Sequence, residues 1–273
     1  MNSLTVNGIS LGYDDRGGQG GGSPVVLVHG HPFNRSMWDP QADELVRAGY
    51  RVIAADLRGY GSSEVVPGTA PLSDFARDTA ALLDRLGVEK AVVGGLSMGG
   101  QIAMEFHRLF PRRVAALVLA DTSPVAETDE GKAVRNAMAD RLLAEGPAGY
   151  ADEVIGKMVA PYNVTALPEV ARHVLAMMRA TPLQGAAAAL RGRAERPDYR
   201  EMLARVAVPT LIVVGADDTY TPVAEAESMA KLIPQATLAV IEGAAHMPNL
   251  ERPEDFNAVL LRFLAAHRVM AGR

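Results

Sequence analysis

Serine 97 stands in the run Gly95-Leu96-Ser97-Met98-Gly99, which follows the apolar stretch Ala91-Val92-Val93-Gly94 and precedes the helical pattern Gln101-Ile102-Ala103-Met104-Glu105-Phe106. A serine so placed sits on a sharp strand-to-helix turn that lifts its hydroxyl clear of the sheet. The glycines are required because a Cβ at either position would collide with the adjoining strand or helix. A hydroxyl becomes a useful nucleophile when a general base takes its proton, and the base needs an acid to fix its tautomer. His246 is the candidate base. It lies in the small-residue loop Glu242-Gly243-Ala244-Ala245-His246-Met247-Pro248 after the last apolar run, where an imidazole is free to reach inward. His107, His173 and His267 fall in a helix, in the middle segment and near the C-terminus, and His29 and His31 belong to another element. The candidate acid follows the preceding apolar run in Leu211-Ile212-Val213-Val214-Gly215-Ala216-Asp217-Asp218, where two aspartates qualify. Asp121, after residues 115–120, is a third candidate whose alternative role is a turn or helix cap. Serine, acid and base in this order make up the equipment for acyl transfer.

Positioning such a set takes a sheet. Residues 4–6 and 9–13 flank Asn7-Gly8, a strong hairpin signal, and residues 17–23, mostly glycine, predict a surface loop. Continuous apolar runs at 24–28, 51–55, 91–93, 114–120, 209–214 and 237–241 predict six strands buried on both faces. Helical patterns at 37–48, 73–86, 99–110, 222–233 and 253–267 alternate with them. The result is a mostly parallel, eight-stranded α/β sheet covered by helices on both sides, with the hairpin antiparallel at one edge. From 123 to about 207 no convincing strand occurs, and Pro147, Pro161, Pro168, Pro182 and Pro197 cut the segment into short helices. The expected organisation is a core domain of residues 1–122 and 207–273, with residues 123–206 as a helical cap over the sheet end that carries Ser97. Met158, Met177 and Met178 either line an apolar pocket under this cap or hold its helices together; the second is the commoner use of methionine at helical spacing.

The segments His29-Gly30-His31-Pro32, Asp56-Leu57-Arg58-Gly59-Tyr60-Gly61-Ser62-Ser63, Gly95 to Gly100, Gly215 to Asp218 and Gly243 to His246 together resemble the α/β-hydrolase superfamily over essentially the whole chain. Within it the chain is similar to small esterases, 3-oxoadipate enol-lactonases and cofactor-free haloperoxidase/perhydrolases. The resemblance implies that the acid is Asp218, the third residue after the strand-ending Gly215, although some members place it where Asp121 stands. It also implies an oxyanion hole made by the backbone N–H groups of His31 and Met98, each such donor being worth about 10²–10³ in rate. His29, Arg58 and Gly59 take structural roles. Relatives commonly carry an aromatic where this chain has His31, which is expected to fill that space rather than contact substrate. Dehalogenases and epoxide hydrolases of this fold place an aspartate at the position of Ser97, so those activities are not expected. The implied reaction is hydrolysis of a carboxylic ester or lactone through an acyl-enzyme. C–C bond hydrolysis, perhydrolysis, a cofactor-free non-hydrolytic biosynthetic reaction and ligand reception without turnover are the alternatives on the same fold.

Composition narrows the partners. The chain has 273 residues, 48% hydrophobic and 22% charged, enough to bury a large core. A net charge of −5, with no basic patch interleaved with aromatics, argues against nucleic acid and anionic membranes. The absence of cysteine removes disulfides, thiolate catalysis and zinc-thiolate sites. No His-Glu-x-x-His and no Gly-x-Gly-x-x-Gly opening a βαβ unit occur, so neither a metal nor a nucleotide cofactor is expected. The N-terminal residues lack a signal-peptide pattern and no apolar stretch is long enough to span a bilayer, which predicts a cytoplasmic protein. The expected partner is a small ester or lactone, medium-sized and partly hydrophobic; a homodimer is compatible with the sequence.

Overall fold

Asn7 and Gly8 both adopt positive φ, 48° and 81°. This is the turn geometry whose twist suits two antiparallel strands, and it pairs β1 (Asn2–Val6) with β2 (Ile9–Gly17). The six apolar runs form β3 (Val25–Val28), β4 (Arg51–Ala55), β5 (Ala91–Leu96), β6 (Val114–Ala120), β7 (Thr210–Gly215) and β8 (Ala236–Ile241). In the computed structural model, which describes residues 2–18 and 23–267, they make one eight-stranded sheet in the order β1-β2-β4-β3-β5-β6-β7-β8. Residues 19–22 of the glycine-rich stretch lie outside the described residues. The pairs β1–β2 and β2–β4 are antiparallel and the rest are parallel.

Strand side chains alternate between two cores. Val26 and Val28 face one, with Phe75, Ile102 and Met229; Val25 and Leu27 face the other, with Leu45, Phe256 and Leu260. β5 and β7 are buried along their whole length, as central strands must be. β8 departs from the expected double burial: it pairs only with β7, and only Ile241 is fully buried. It is an edge strand with one covered face.

After β3 comes a short 3₁₀ turn (Arg35–Trp38) and α1 (Asp39–Arg47); α2 (Leu72–Arg85) follows β4 and α3 (Met98–Leu109) follows β5. Between β6 and β7 lie α4 (Asp129–Glu145), α5 (Pro147–Met158), α6 (Pro161–Ala166), α7 (Pro168–Arg179), α8 (Leu183–Ala194) and the single turn α9 (Arg200–Leu203). Pro147, Pro161 and Pro168 open α5, α6 and α7, where the missing N–H costs nothing. The chain closes with α10 (Val223–Leu232), α11 (Pro248–Glu251) and α12 (Pro253–Ala266). No helix among the described residues is long and apolar enough to cross a membrane.

The inserted helices dock on the sheet layer through backbone contact at α8. Ala70 N–H donates to Ala188 O at 2.9 Å, and Gly59 and Gly185 approach so closely that a Cβ on Gly185 would sit 1.9 Å from Gly59 O. At Gly192 the same Cβ would lie 1.7 Å from Ala70 O. Alanine is about 1 kcal/mol better than glycine inside a helix, but here overpacking against rigid backbone costs about 1–3 kcal/mol. Gly192→Ala is therefore expected to lower the melting temperature by a few degrees, measured by thermal denaturation; an increase would mean that α8 does not bear on residue 70.

Candidate active site

Ser97 links β5 to α3 at φ 57° and ψ −118°, a conformation that L-residues rarely adopt. The glycines around it are explained by distance. A Cβ on Gly95 would lie 2.1 Å from Gly99 O, and one on Gly99 would lie 2.1 Å from Val28 O. The strained turn is tied at both ends: Ser97 N–H donates to Ala120 O at 2.9 Å, and Thr122 Oγ1 donates to Ser97 O at 2.7 Å.

His246, 3% exposed, follows β8 in the loop before α11. Its Nδ1 is 2.8 Å from Asp218 Oδ2. Asp218 also accepts from Tyr220 N–H (2.7 Å), Thr221 N–H (3.2 Å) and the Thr221 hydroxyl (2.5 Å). Burial pushes the Asp218 carboxyl up, but the His246 ring and these donors outweigh it and hold it below the ordinary carboxylate value. Asp217 points elsewhere: it is exposed and accepts from the Tyr162 hydroxyl at 2.5 Å. The geometry thus separates the adjacent aspartates and sets Asp218 on the imidazole. Ser97 and His246 face the same cavity of about 680 Å³, although the described residues form no hydrogen bond between the hydroxyl and the ring. Such contacts commonly tighten only when substrate binds.

The loop after β3 abuts the serine, because a Cβ on Gly30 would come within 2.9 Å of Leu96 O and 3.3 Å of the Ser97 Cβ. His29 anchors that loop. Leu57 N–H donates to its Nε2 at 2.9 Å, so Nδ1 carries the proton and donates to Gly30 O at 2.9 Å. Asp56, buried at the end of β4, accepts from Arg35 N–H (2.9 Å) and Ser62 N–H (2.8 Å), bracing the same loop from below. Arg58 reaches to α2 instead, on Asp78 at 2.6 and 2.7 Å. Neither His31 N–H nor Met98 N–H meets a protein acceptor among the described residues. The His31 ring lines the cavity, with Nδ1 2.8 Å from the Tyr60 hydroxyl. Burial, reinforced by the charges of Arg193 and Arg135, lowers its pKa to about 3, so the ring is neutral.

Two buried carboxyls complete the surroundings of His246. Asp121, at the end of β6, accepts from Gly215 N–H at 2.9 Å, while its Oδ2 has no partner of its own. Burial and then the Asp218 charge push it well above the ordinary range. Asp121, Asp218 and His246 offer three atoms within 4.8 Å of one another. His246 Nδ1 and Asp218 Oδ2 are committed to each other, and one Asp121 oxygen to Gly215, so the cluster is built as a hydrogen-bond network rather than a coordination shell. Glu251, 3% exposed, was not singled out by the sequence. It accepts from Ala245 N–H (2.8 Å), Ala160 N–H (2.8 Å) and Asn163 Nδ2 (2.7 Å), fastening the His246 loop to the start of α6.

The cavity wall mixes apolar side chains, among them Val154, Met158 and Leu190, with charged ones, among them Arg135, Lys157, Arg193 and Arg196. The wall is more polar than the composition of residues 123–206 implies. Of the three singled-out methionines only Met158 reaches this cavity; Met177 and Met178 pack into the core with Trp38 and Phe256.

Residues 23–253 match the family model described as alpha/beta hydrolase fold. A thermophilic esterase from Thermogutta terrifontis superposes with a TM-score of 0.92 at 40% identity, over 97% of each chain. The 3-oxoadipate enol-lactonase 1 of Acinetobacter baylyi is 32% identical over 88% of each chain. The non-heme chloroperoxidase CPO-A1 of Kitasatospora aureofaciens is 33% identical over 95% of this chain and 98% of its own.

Both buried acids generate expectations. Glu251→Gln replaces one acceptor oxygen with an N–H donor facing backbone N–H groups, which costs about 1–3 kcal/mol. The variant should melt about 3–8 °C lower and lose turnover; an unchanged melt would remove Glu251 from its bracing role. For Asp121 the sign is opposite. Its folded pKa lies above the unfolded value of about 3.9, so between the two the folded state holds a proton that the unfolded state releases, and stability falls as pH rises. Asp121→Asn keeps the neutral shape without that titration. Its melting temperature should draw level with wild type near pH 4 and exceed it as the pH rises above the ordinary carboxylate range, with turnover kept within a few fold. Loss of turnover would instead make Asp121 the acid of the site.

Proposed function

The chain belongs to the alpha/beta hydrolase family, and from that premise we propose that it hydrolyses carboxylic esters or lactones through an acyl-enzyme on Ser97. The observation that carries this reading is the buried Asp218–His246 pair, 2.8 Å between oxygen and nitrogen, opening on the same cavity as a serine held at φ 57°. With Nδ1–H engaged by Asp218, the lone pair of His246 Nε2 is left to take the serine proton. Ser97 Oγ attacks the carbonyl carbon, and the charge that develops on the carbonyl oxygen is met by the N–H groups of His31 and Met98. The tetrahedral intermediate collapses with breakage of the C–O bond, and His246 passes its proton to the leaving alkoxide. In a lactone that alcohol stays tethered to the acyl chain. Water, deprotonated by His246, then releases the acid and restores Ser97. The neutral His31 ring fills the wall beside the oxyanion without adding charge. The likeness to an esterase and an enol-lactonase supports this substrate range. The likeness to a non-heme chloroperoxidase supports a second use of the same acyl-enzyme, in which hydrogen peroxide replaces water and a peracid leaves.

Intact-mass labelling with a fluorophosphonate tests the nucleophile. Wild type should gain one adduct and Ser97→Ala none, and the variant should lose at least about 10⁴-fold in turnover while melting like wild type. Full activity in Ser97→Ala, or no adduct on folded wild type, would overturn the assignment.

A further inference from the structure

Arg193, near the end of α8, stands out among the cations on the wall of the Ser97 cavity. Arg196 and Arg135 share one carboxylate, Glu127, the first at 2.5 Å. Lys157 lies over the Tyr220 ring, 5.7 Å from its centre. Arg193 pairs with no carboxylate among the described residues. Its Nε–H donates to a neutral acceptor, Gln101 Oε1, at 2.7 Å, which leaves the forked Nη groups uncommitted. None of the acids of the wall pairs with it. Glu153 is taken up by Arg141 at 2.5 and 2.9 Å, and Glu225 accepts from the Ser123 hydroxyl. The wall therefore sets four cations, Arg135, Lys157, Arg193 and Arg196, against three carboxylates, Glu127, Glu153 and Glu225, one of them already paired with Arg141, inside a chain whose net charge is −5. Burial and the neighbouring Arg135 and Arg196 charges press Arg193 well below its ordinary value; a guanidinium keeps its proton in proteins, so the same forces favour an anion beside it. The position is also close to the chemistry. Gln101 lies one helical turn from the serine, its N–H directed to Ser97 O at 3.2 Å, a rise of about 5.4 Å.

We infer that Arg193, oriented by Gln101, is the anchor for a carboxylate on the substrate, so that the site takes esters or lactones bearing a free carboxylate. The guanidinium fork matches a carboxylate with two parallel N–H···O bonds, and docking the anion there supplies the counter-charge that the wall lacks. The inference rests on Ser97 being the nucleophile only for the word substrate; the anion site stands on Arg193 and its neighbours.

The test compares monomethyl succinate, glutarate and adipate with their dimethyl esters, correcting for the two ester groups of the latter. Wild type should prefer at least one half-ester by about tenfold or more in kcat/KM, the scale of a charge-assisted hydrogen-bond pair. In Arg193→Gln the ratio should fall toward unity, chiefly through KM, and Arg193→Lys should restore part of it; thermal melts confirm that both variants fold. A wild-type ratio of one, or a preference that survives in Arg193→Gln, overturns the inference. Binding of the half-esters and diesters to Ser97→Ala, read by ligand-observed NMR, separates the two readings. Turnover of the diesters without anion preference would uphold Ser97 and sink the anion site. Arg193-dependent binding of a half-ester by a chain that turns over neither series would do the reverse.

Discussion

The backbone of Ser97, held at φ 57° and ψ −118°, is the constraint on which the rest of the structure depends. A non-glycine residue in such a region costs on the order of 1–3 kcal/mol and persists only where its surroundings over-determine it. Here the end of β6 grips both sides of the residue, through Ala120 O and the Thr122 hydroxyl. The missing side chains at Gly95 and Gly99 let α3 press against β5 and the carbonyl of Val28. The same contact draws the Gly30–His31 loop up to the serine. One packing event therefore places the Ser97 hydroxyl beside the His31 loop and the start of α3, and the two flanking cores hold the central strands that make it possible.

Around that fixed turn the chain buries three carboxyls near one imidazole and gives each a different environment. Asp218 gathers the His246 ring, two backbone N–H groups and a hydroxyl, and stays anionic. Glu251 spends its oxygens on the backbone of the adjacent His246 loop and of the start of α6. Asp121 has one donor and a charged neighbour, which with burial push its carboxyl well above the ordinary range. Chemically identical groups acquire three roles from the number of donors that each one meets.

Much of this was legible in the sequence because it rests on local patterns. Strand runs such as 51–55 and 114–120 coincide with β4 and β6, and the elbow is encoded by five consecutive residues. Periodicity failed at β8, since an apolar run says nothing about whether a neighbour exists on its far side. Spacing alone left Asp217 and Asp218 both open and the resemblance pointed to Asp218; the structure turns one side chain to Tyr162 and the other to His246. Glu251 and Arg193 were invisible for the opposite reason. Glu251 matters through backbone donors 6 and 91 residues away, and Arg193 through the carboxylate that is not beside it. The methionines show the limit of composition, because helical spacing alone cannot tell Met158, which packs in the core and also lines the cavity, from Met178, which packs in the same core without reaching it.

The Glu251 clasp also sets the mechanics of the inserted helices. By gripping Ala160 and Asn163 it pins the junction of α5 and α6 to the loop that carries His246. The inserted helices are thus fastened at two places, at Ala160 and Asn163 beside the His246 loop and at α8 against Gly59 and Ala70, while α4, which buries only Ala139 and Leu142 and leaves Val134 61% exposed, packs on α8. Because these two anchorages are separate, substitutions on α4 at cavity-lining positions such as Val134, Arg135 or Met138 can reshape the cavity while the His246 loop stays in register, so the shape of the cavity and the placing of the imidazole become separately evolvable traits of one chain.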